Sequence, residues 1–303
     1  MTDNPAQFGR NFWLAIRPKT LPASLSPVIL GTSFVPAEQL NWLLVFCALG
    51  CALFLQITVN LANDFFDAKN GVDTNARLGP IRVTQAGLAS PSMVAAGIGF
   101  FVVLSITCGL ILVAHSDLLL LGVGGLCILA ALGYSGGPAP LASMGLGEIA
   151  VLIFFGWIAV LGSFYVHTQT LDLQLFLLSN SLGLILAAVM LVNNIRDIPT
   201  DAQAGKRTLA VRLNDRNSRF LYLGLLTLAY ILHICAFTTL NTKTNLISAL
   251  IPLAVLSPFA LKAANNILRL QGKELNGLLA DTALLGLIYS LTTSGAYLIG
   301  PYL

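Results

Sequence analysis

Charge is what this sequence is short of. Only 10% of its 303 residues are Asp, Glu, Lys or Arg, against about 25% in an average soluble domain. That leaves too little polarity to cover an ordinary soluble core. Histidine is scarce as well, and His115, His167 and His233 are too scattered to build a metal centre. The five cysteines (Cys47, Cys51, Cys108, Cys127, Cys235) lie inside apolar runs, without metal-ligand spacing to histidine. They are expected to be small buried hydrophobes rather than a disulfide framework. Residues 1–20 carry Asp3, Arg10, Arg17 and Lys19 and lack the short apolar stretch and small-residue cleavage site of a secretory leader. The first apolar run is therefore expected to stay as a membrane anchor.

What is abundant is hydrophobic residues, 56% of the chain, and they come in long runs. Nine runs are long enough to cross about 30 Å of hydrocarbon: Leu21–Val35, Trp42–Ala62, Ser92–Val113, Leu118–Tyr134, Ile149–Tyr165, Leu173–Asn194, Phe220–Leu240, Leu246–Ala264 and Leu278–Leu298. Backbone groups in lipid must pair internally, so the spans are helices or a closed barrel. Period-two alternation is missing, which leaves an all-α polytopic membrane protein. Pro22 and Pro27 in span one, and Pro252 and Pro258 in span eight, predict bends.

Charge distribution checks the count. With the connections numbered alternately, 15 of the 16 Lys and Arg residues fall on one side and only Lys243 on the other. This is the asymmetry of the positive-inside rule. It predicts a cytoplasmic N-terminus (1–20), an external C-terminus and cytoplasmic loops at 63–91 and 195–219; the chain is expected to form one membrane domain over 1–303.

Two of those loops resemble copies of each other. The first reads Asn60-Leu-Ala-Asn63-Asp64-Phe65-Phe66-Asp67-Ala-Lys-Asn-Gly71-Val-Asp73. The second reads Asn193-Asn194-Ile-Arg196-Asp197-Ile-Pro199-Thr-Asp201-Ala-Gln-Ala-Gly205-Lys206-Arg207. In each, an Asn is followed four residues later by Asp, then by a second Asp, by Ala at once, and by Gly three residues after that Ala. Both follow a long apolar helix running in the same direction. Asn60, Asp64 and Asp67 stand at i, i+4 and i+7 and share one helix face, as do Asn193 and Asp197. Pro199 predicts a helix end near Ile198, with Asp201 on a turn. Carboxylates turned into one cleft repel each other, and desolvation at a membrane edge worsens this. Such a cluster needs a cation. Oxygen donors suit Mg²⁺, which keeps waters and prefers one or two carboxylates plus phosphate oxygens. Lys206, Arg207 and Arg82 are near enough in sequence to face the remaining phosphate charge. The bland alternative is that Asp and Asn here only cap turns in a charged juxtamembrane loop.

The paired aspartate segments resemble the motifs of the membrane-bound aromatic prenyltransferases. Arg17-Pro-Lys19-Thr-Leu-Pro22, Gly79-Pro-Ile-Arg82-Val-Thr-Gln85-Ala-Gly87, Tyr134-Ser-Gly-Gly-Pro138 and Gly145-Leu-Gly-Glu148 are similar to the menaquinone branch of that superfamily, the 1,4-dihydroxy-2-naphthoate polyprenyltransferases. The likeness runs from about Arg17 into span nine. It departs from the pattern at Asp73, six residues after Asp67 rather than four, and at Ser143, where an aromatic residue is expected.

The resemblance implies nine helices around a central cavity capped by cytoplasmic loops, in the cell inner membrane. It implies Mg²⁺, a polyprenyl diphosphate and an aromatic acceptor, with neither nucleic acid nor a protein partner. The allylic C–O bond ionises, the ring attacks the cation, and a dihydroxynaphthoate then loses CO₂ to give demethylmenaquinone. By motif, Asp64, Asp67, Asp197 and Asp201 fall to the metal. Asn60, Asn63, Asn193, Arg82, Lys206 and Arg207 fall to the diphosphate. Arg17 or Lys19 would meet an acceptor carboxylate or merely anchor at the membrane edge. Tyr134 would line the acceptor site or sit as an interfacial aromatic. Glu148 would be an acid in the cavity or a match to a helix dipole. Phe65, Phe66, Phe154, Phe155 and Trp157 would shield a carbocation or pack. Other acceptors, 4-hydroxybenzoate or haem, keep the chemistry. A secondary transporter is the competing class, but its acids belong near the midplane, and these cluster at one face.

Overall fold

A computed structural model describes residues 13–69, 78–238 and 246–300, without the side chains of Lys19 and of residues 246–248. Asp73 falls outside these residues. All regular structure among them is helical: α1 (Leu21–Ser33), α2 (Trp42–Lys69), α3 (Pro91–His115), α4 (Leu119–Gly133), α5 (Gly147–Thr168), α6 (Leu173–Arg196), α7 (Ile198–Gln203), α8 (Leu209–Thr238), α9 (Leu246–Arg269) and α10 (Leu275–Ile299). Seven of these, α2, α3, α5, α6, α8, α9 and α10, are long and apolar enough to cross a bilayer. The other two expected spans are helices of 13 and 15 residues, α1 and α4, which reach only about 20 Å at 1.5 Å per residue. The chain is a multi-pass membrane protein.

Local chemistry fixes the helix ends. Ser90 accepts a hydrogen bond from the Met93 N–H at the start of α3, and Asp172 Oδ1 accepts from the Leu175 N–H at the start of α6 (2.6 Å). These N-caps satisfy amides with no partner inside the helix. Pro22 lies in the first turn of α1, where a missing N–H costs nothing. Pro199 likewise opens α7, so Asp201 rides on a short helix rather than the expected turn. α8 begins eleven residues before the expected span and breaks at Asn214 (φ 66°, ψ 170°), whose Oδ1 caps the Asn217 N–H.

The helices pack in two halves. In one, α2 packs on α3 and α4, around Ile57, Leu61, Val94 and Phe101, with Ile16 and Val83 closing the end. The other is built on α6, which packs against α5, α8 and α10 through Leu182, Ile185, Tyr222 and Tyr289. α1 touches α2, α5 and α10 and joins the halves. Lipid tails give no hydrophobic drive between helices, so small residues that let backbones approach carry the packing. A Cβ on Gly31 of α1 would collide with the Val160 carbonyl of α5, and one on Gly183 of α6 would stand 3.0 Å from Gly156 Cα. The middle of α5, Leu152–Leu161, is π-helical, an uncommon widening that often accompanies functional sites.

Candidate active site

Between the two halves lies a cavity of about 410 Å³. Its shaft is apolar. Ala48 and Cys51 near the start of α2, Leu112 near the end of α3 and Val166 near the end of α5 line its far part. Phe154 and Phe155 of the π-helical segment line its wall. Its other end is polar, because α2 and α6 both finish there and deliver the two acidic segments.

α2 turns Asn60, Asp64 and Asp67 inward on one buried face. Asp67 Oδ2 pairs with Arg82 Nη2 at 2.7 Å, and its Oδ1 meets Lys206 Nζ at 3.2 Å. The Lys206 contact joins the first acidic segment to the second. Asp64 faces the 82–84 turn instead: its oxygens accept the Val83 N–H (2.8 Å) and the Thr84 N–H (2.9 Å). It is not part of the cavity wall. Asn60 lines the cavity and donates to the Ile16 carbonyl (2.8 Å), tying down the segment that carries Arg17. Arg17 lines the cavity from a left-handed backbone conformation (φ 53°), which is uncommon outside glycine and tends to gather at functional sites. Asn63 also lines it and accepts from the Ser135 hydroxyl.

The second segment is organised by a residue the motif did not single out. Arg196, 2% exposed, donates to Asp197 Oδ1 from Nε (2.8 Å) and to Asp197 Oδ2 from Nη2 (2.5 Å). It also donates to Asn193 Oδ1 (2.8 Å) and Asn276 Oδ1 (2.7 Å). Asn276 in turn donates to the Leu78 carbonyl (3.0 Å), so one guanidinium ties α6 and α10 to the loop after α2. Asn193, Asp197, Asp201 and Lys206 all line the cavity. Arg207 is exposed and outside it, its N–H bonded to the Ser143 carbonyl (3.0 Å).

Tyr134, just past α4, lines the cavity and donates its hydroxyl to Met190 Sδ at 3.1 Å. Two glycines make room here. A Cβ on Gly147 would stand 2.9 Å from Tyr134 Oη, and one on Gly136 would stand 2.6 Å from the Phe66 ring. Phe65 and Phe66 meet edge to face at 5.2 Å. Trp157 donates to Asn180 (3.0 Å) and is not part of the cavity wall. Glu148, in the first turn of α5, is buried and accepts from Asn194 Nδ2 at 2.8 Å.

The cation that the clustered acids require is thus present as Arg82, Lys206 and Arg196. Among the described residues, no three His, Cys, Asp or Glu side chains converge into a ready-made metal cage. The polar end offers oxygen donors only, and a carboxylate oxygen with one partner keeps a second lone pair. That donor set fits Mg²⁺ arriving with phosphate ligands and does not fit zinc.

Comparison with known proteins agrees with this geometry. A sequence profile of the UbiA prenyltransferase family matches residues 24–276. The chain is 38% identical over 287 residues to a 1,4-dihydroxy-2-naphthoate octaprenyltransferase of Mycobacterium tuberculosis, covering 94% of this chain and 95% of that protein. It is 35% identical over 300 residues to the Haemophilus influenzae protein of the same description, covering 95% and 96%. Among solved structures, it is similar to a UbiA homolog from Archaeoglobus fulgidus bound to GPP and Mg²⁺. There the TM-score is 0.67 at 15% identity, with 94% of this chain and 99% of that one covered.

Proposed function

This chain belongs to the UbiA prenyltransferase family, and we propose that it transfers a polyprenyl group from an allylic diphosphate to 1,4-dihydroxy-2-naphthoate. CO₂ and diphosphate leave, and the product is demethylmenaquinol, the reduced form of demethylmenaquinone. The observation that carries this reading is the contact between Asp67 and Lys206. Through two residues 139 positions apart along the chain, it joins the two acidic segments at the polar mouth of an apolar cavity. The relatives named above support the choice of acceptor.

The polar mouth takes the diphosphate and the shaft takes the prenyl chain. Asp67, Asp197 and Asp201 would hold Mg²⁺, with Asn60, Asn63 and Asn193 beside them. Asp64 acts through the turn that presents Arg82. Bound Mg²⁺ supplies positive charge to the leaving diphosphate oxygens. Lys206 and Arg82 add charge-assisted hydrogen bonds to the same group, favouring loss of the allylic C–O bond. Phe154 and Phe155, which line the cavity, would shield the developing cation, and the apolar wall would keep out water that captures it. The ring attacks through the carbon bearing the carboxylate. A C–C bond forms there, the bond to CO₂ breaks, and its electron pair restores the aromatic ring. No ring proton has to be removed, so this site needs no general base for that step. Arg17, which lines the cavity, would meet the acceptor's carboxylate.

The positive-charge asymmetry supports a mouth on the cytoplasmic side, an N-terminus inside and a C-terminus outside; the family reading adds the inner membrane and a single domain over residues 1–303. The test uses purified protein in detergent with a labelled allylic diphosphate and a panel of aromatic acceptors. Transfer to dihydroxynaphthoate with release of CO₂, lost in EDTA and restored by Mg²⁺, is the expected result. Transfer to 4-hydroxybenzoate alone would overturn the acceptor, and undiminished activity in EDTA would overturn the metal site.

A further inference from the structure

One buried carboxylate lies outside the diphosphate machinery. Glu148 is 5% exposed. Its Oε1 accepts the Asn194 Nδ2–H at 2.8 Å, and its Oε2 is buried without a hydrogen-bond partner. Burying a carboxylate with a single donor is costly, and a dipole match at the start of α5 would not require a partner on α6. Asn194 is itself 8% exposed and lines the cavity, whereas Glu148 stands behind it.

The pairing fixes which way the Asn194 amide points. The NH₂ end is taken by Glu148 Oε1, so Oδ1 is the end left to accept, on a residue that lines the cavity. Beside it, the Tyr134 hydroxyl donates to the Met190 thioether at 3.1 Å, a weak acceptor that a better one displaces. Gly147, the residue before Glu148, leaves the space that the Tyr134 hydroxyl fills. The cavity wall therefore offers one oriented acceptor and one exchangeable donor on neighbouring elements. A hydroxylated aromatic ring matches that set, since it gives its O–H to Asn194 and receives the Tyr134 O–H.

We propose that Glu148 is a positioning residue that holds Asn194 so that its carbonyl oxygen binds a ring hydroxyl of the aromatic acceptor. The proposal rests on the prenyl-transfer reading and adds to it the recognition of the acceptor's hydroxyl. A hydrogen bond from that hydroxyl also pushes electron density into the ring and orients the attacked carbon.

The test compares Glu148→Ala, Glu148→Gln and Asn194→Ala with the unaltered protein, measuring KM separately for the aromatic acceptor and the allylic diphosphate. Glu148→Ala and Asn194→Ala should each raise the acceptor KM at least 10-fold and leave the diphosphate KM within 2-fold. Glu148→Gln keeps an oxygen that accepts from Asn194 and should recover most of the loss. Combining the two alanine changes should cost little more than Asn194→Ala alone, because both remove one contact. An unchanged acceptor KM in Asn194→Ala, or a parallel rise in both KM values, would overturn the proposal. So would a Gln variant as impaired as the Ala variant. If Glu148→Ala fails to fold, Asn194→Ala alone decides the matter. Failure of the unaltered protein to prenylate any acceptor would remove the underlying reading and this pair with it.

Discussion

Replacing Arg196 with Met should damage stability and activity by separable routes. The Arg196 side chain is 1% exposed and that of Asp197 12%, so the pair is screened little by solvent. Removing one partner of a buried pair costs about 3–5 kcal/mol, because the other charge stays behind unpaired. Asn193 and Asn276 each lose a donor as well, but both are only half-buried, so water can replace it. A loss of about 4 kcal/mol corresponds to a fall in melting temperature on the order of 10 °C. A thiol-reactive fluorophore reports it directly, since the five cysteines are free and sit in apolar helices. The double change Arg196→Met with Asp197→Leu removes both charges and replaces them with apolar groups, which is often close to neutral. It should recover most of the lost melting temperature and none of the activity. If Arg196→Met melts with the unaltered protein, or the double variant melts lower than the single one, the guanidinium is not holding Asp197 as argued.

Lys206→Ala should leave Asp67 with Arg82 alone and remove a diphosphate contact. A charge-assisted hydrogen bond of about 2–3 kcal/mol predicts a loss near 10²-fold in kcat/KM, seen in the KM for the diphosphate and not for the acceptor. Gly31→Ala drives a methyl group into the Val160 carbonyl where α1 crosses α5. Overpacking of this kind costs about 1–3 kcal/mol, so the same fluorophore assay should show a lower melting temperature, while Gly99→Ala, with open space around it, should not. Cysteine placed at the exposed Gln271, between α9 and α10, should react with a membrane-impermeant maleimide in inside-out vesicles and not in intact cells. Labelling from outside would reverse the orientation.

Much of the site was legible because helical periodicity converts spacing into direction. Asn60, Asp64 and Asp67 share a face for that reason, and the face is buried. Spacing says nothing about what a buried carboxylate meets. Asp64 and Asp67 differ by one helical turn, yet one binds backbone amides of the 82–84 turn and the other binds Lys206. In the sequence Arg196 reads only as one of the basic residues on the cytoplasmic side. Its signal was its place inside an Asn-x-x-Arg-Asp run, where a charge at the end of an apolar helix must find partners within reach. The start of α8 was missed because hydropathy finds the membrane-embedded part of a helix and is blind to a polar overhang such as residues 209–219. The π-helical stretch of α5 leaves no compositional mark, since Leu, Ile and Phe serve α- and π-turns equally. Its consequence, two phenylalanines turned into one cavity, depends on backbone geometry alone.

The ion pairs at the mouth bear on which ligands the cavity accepts. Asp67 and Asp197 are held by Arg82, Lys206 and Arg196, so the site is not a bare acidic cluster waiting for a cation. A free diphosphate would gain the lysine and arginines only by leaving the aspartates uncompensated, and like charges in a low-dielectric cleft raise that cost steeply. A diphosphate already carrying a divalent ion avoids the conflict: the aspartates gain the ion as the basic side chains turn to phosphate oxygens, and no charge is left without a partner. The exchange is nearly balanced at the mouth, so it discriminates without binding tightly. Affinity must come from elsewhere, and the shaft supplies it at about 0.8 kcal/mol per buried CH₂. A nucleotide or inorganic diphosphate satisfies the mouth and leaves the shaft unfilled, while a free lipid fills the shaft and leaves the mouth unused. Only a molecule with both ends draws on both terms, and the mouth–shaft division between α2 and α6 thereby selects a prenyl diphosphate.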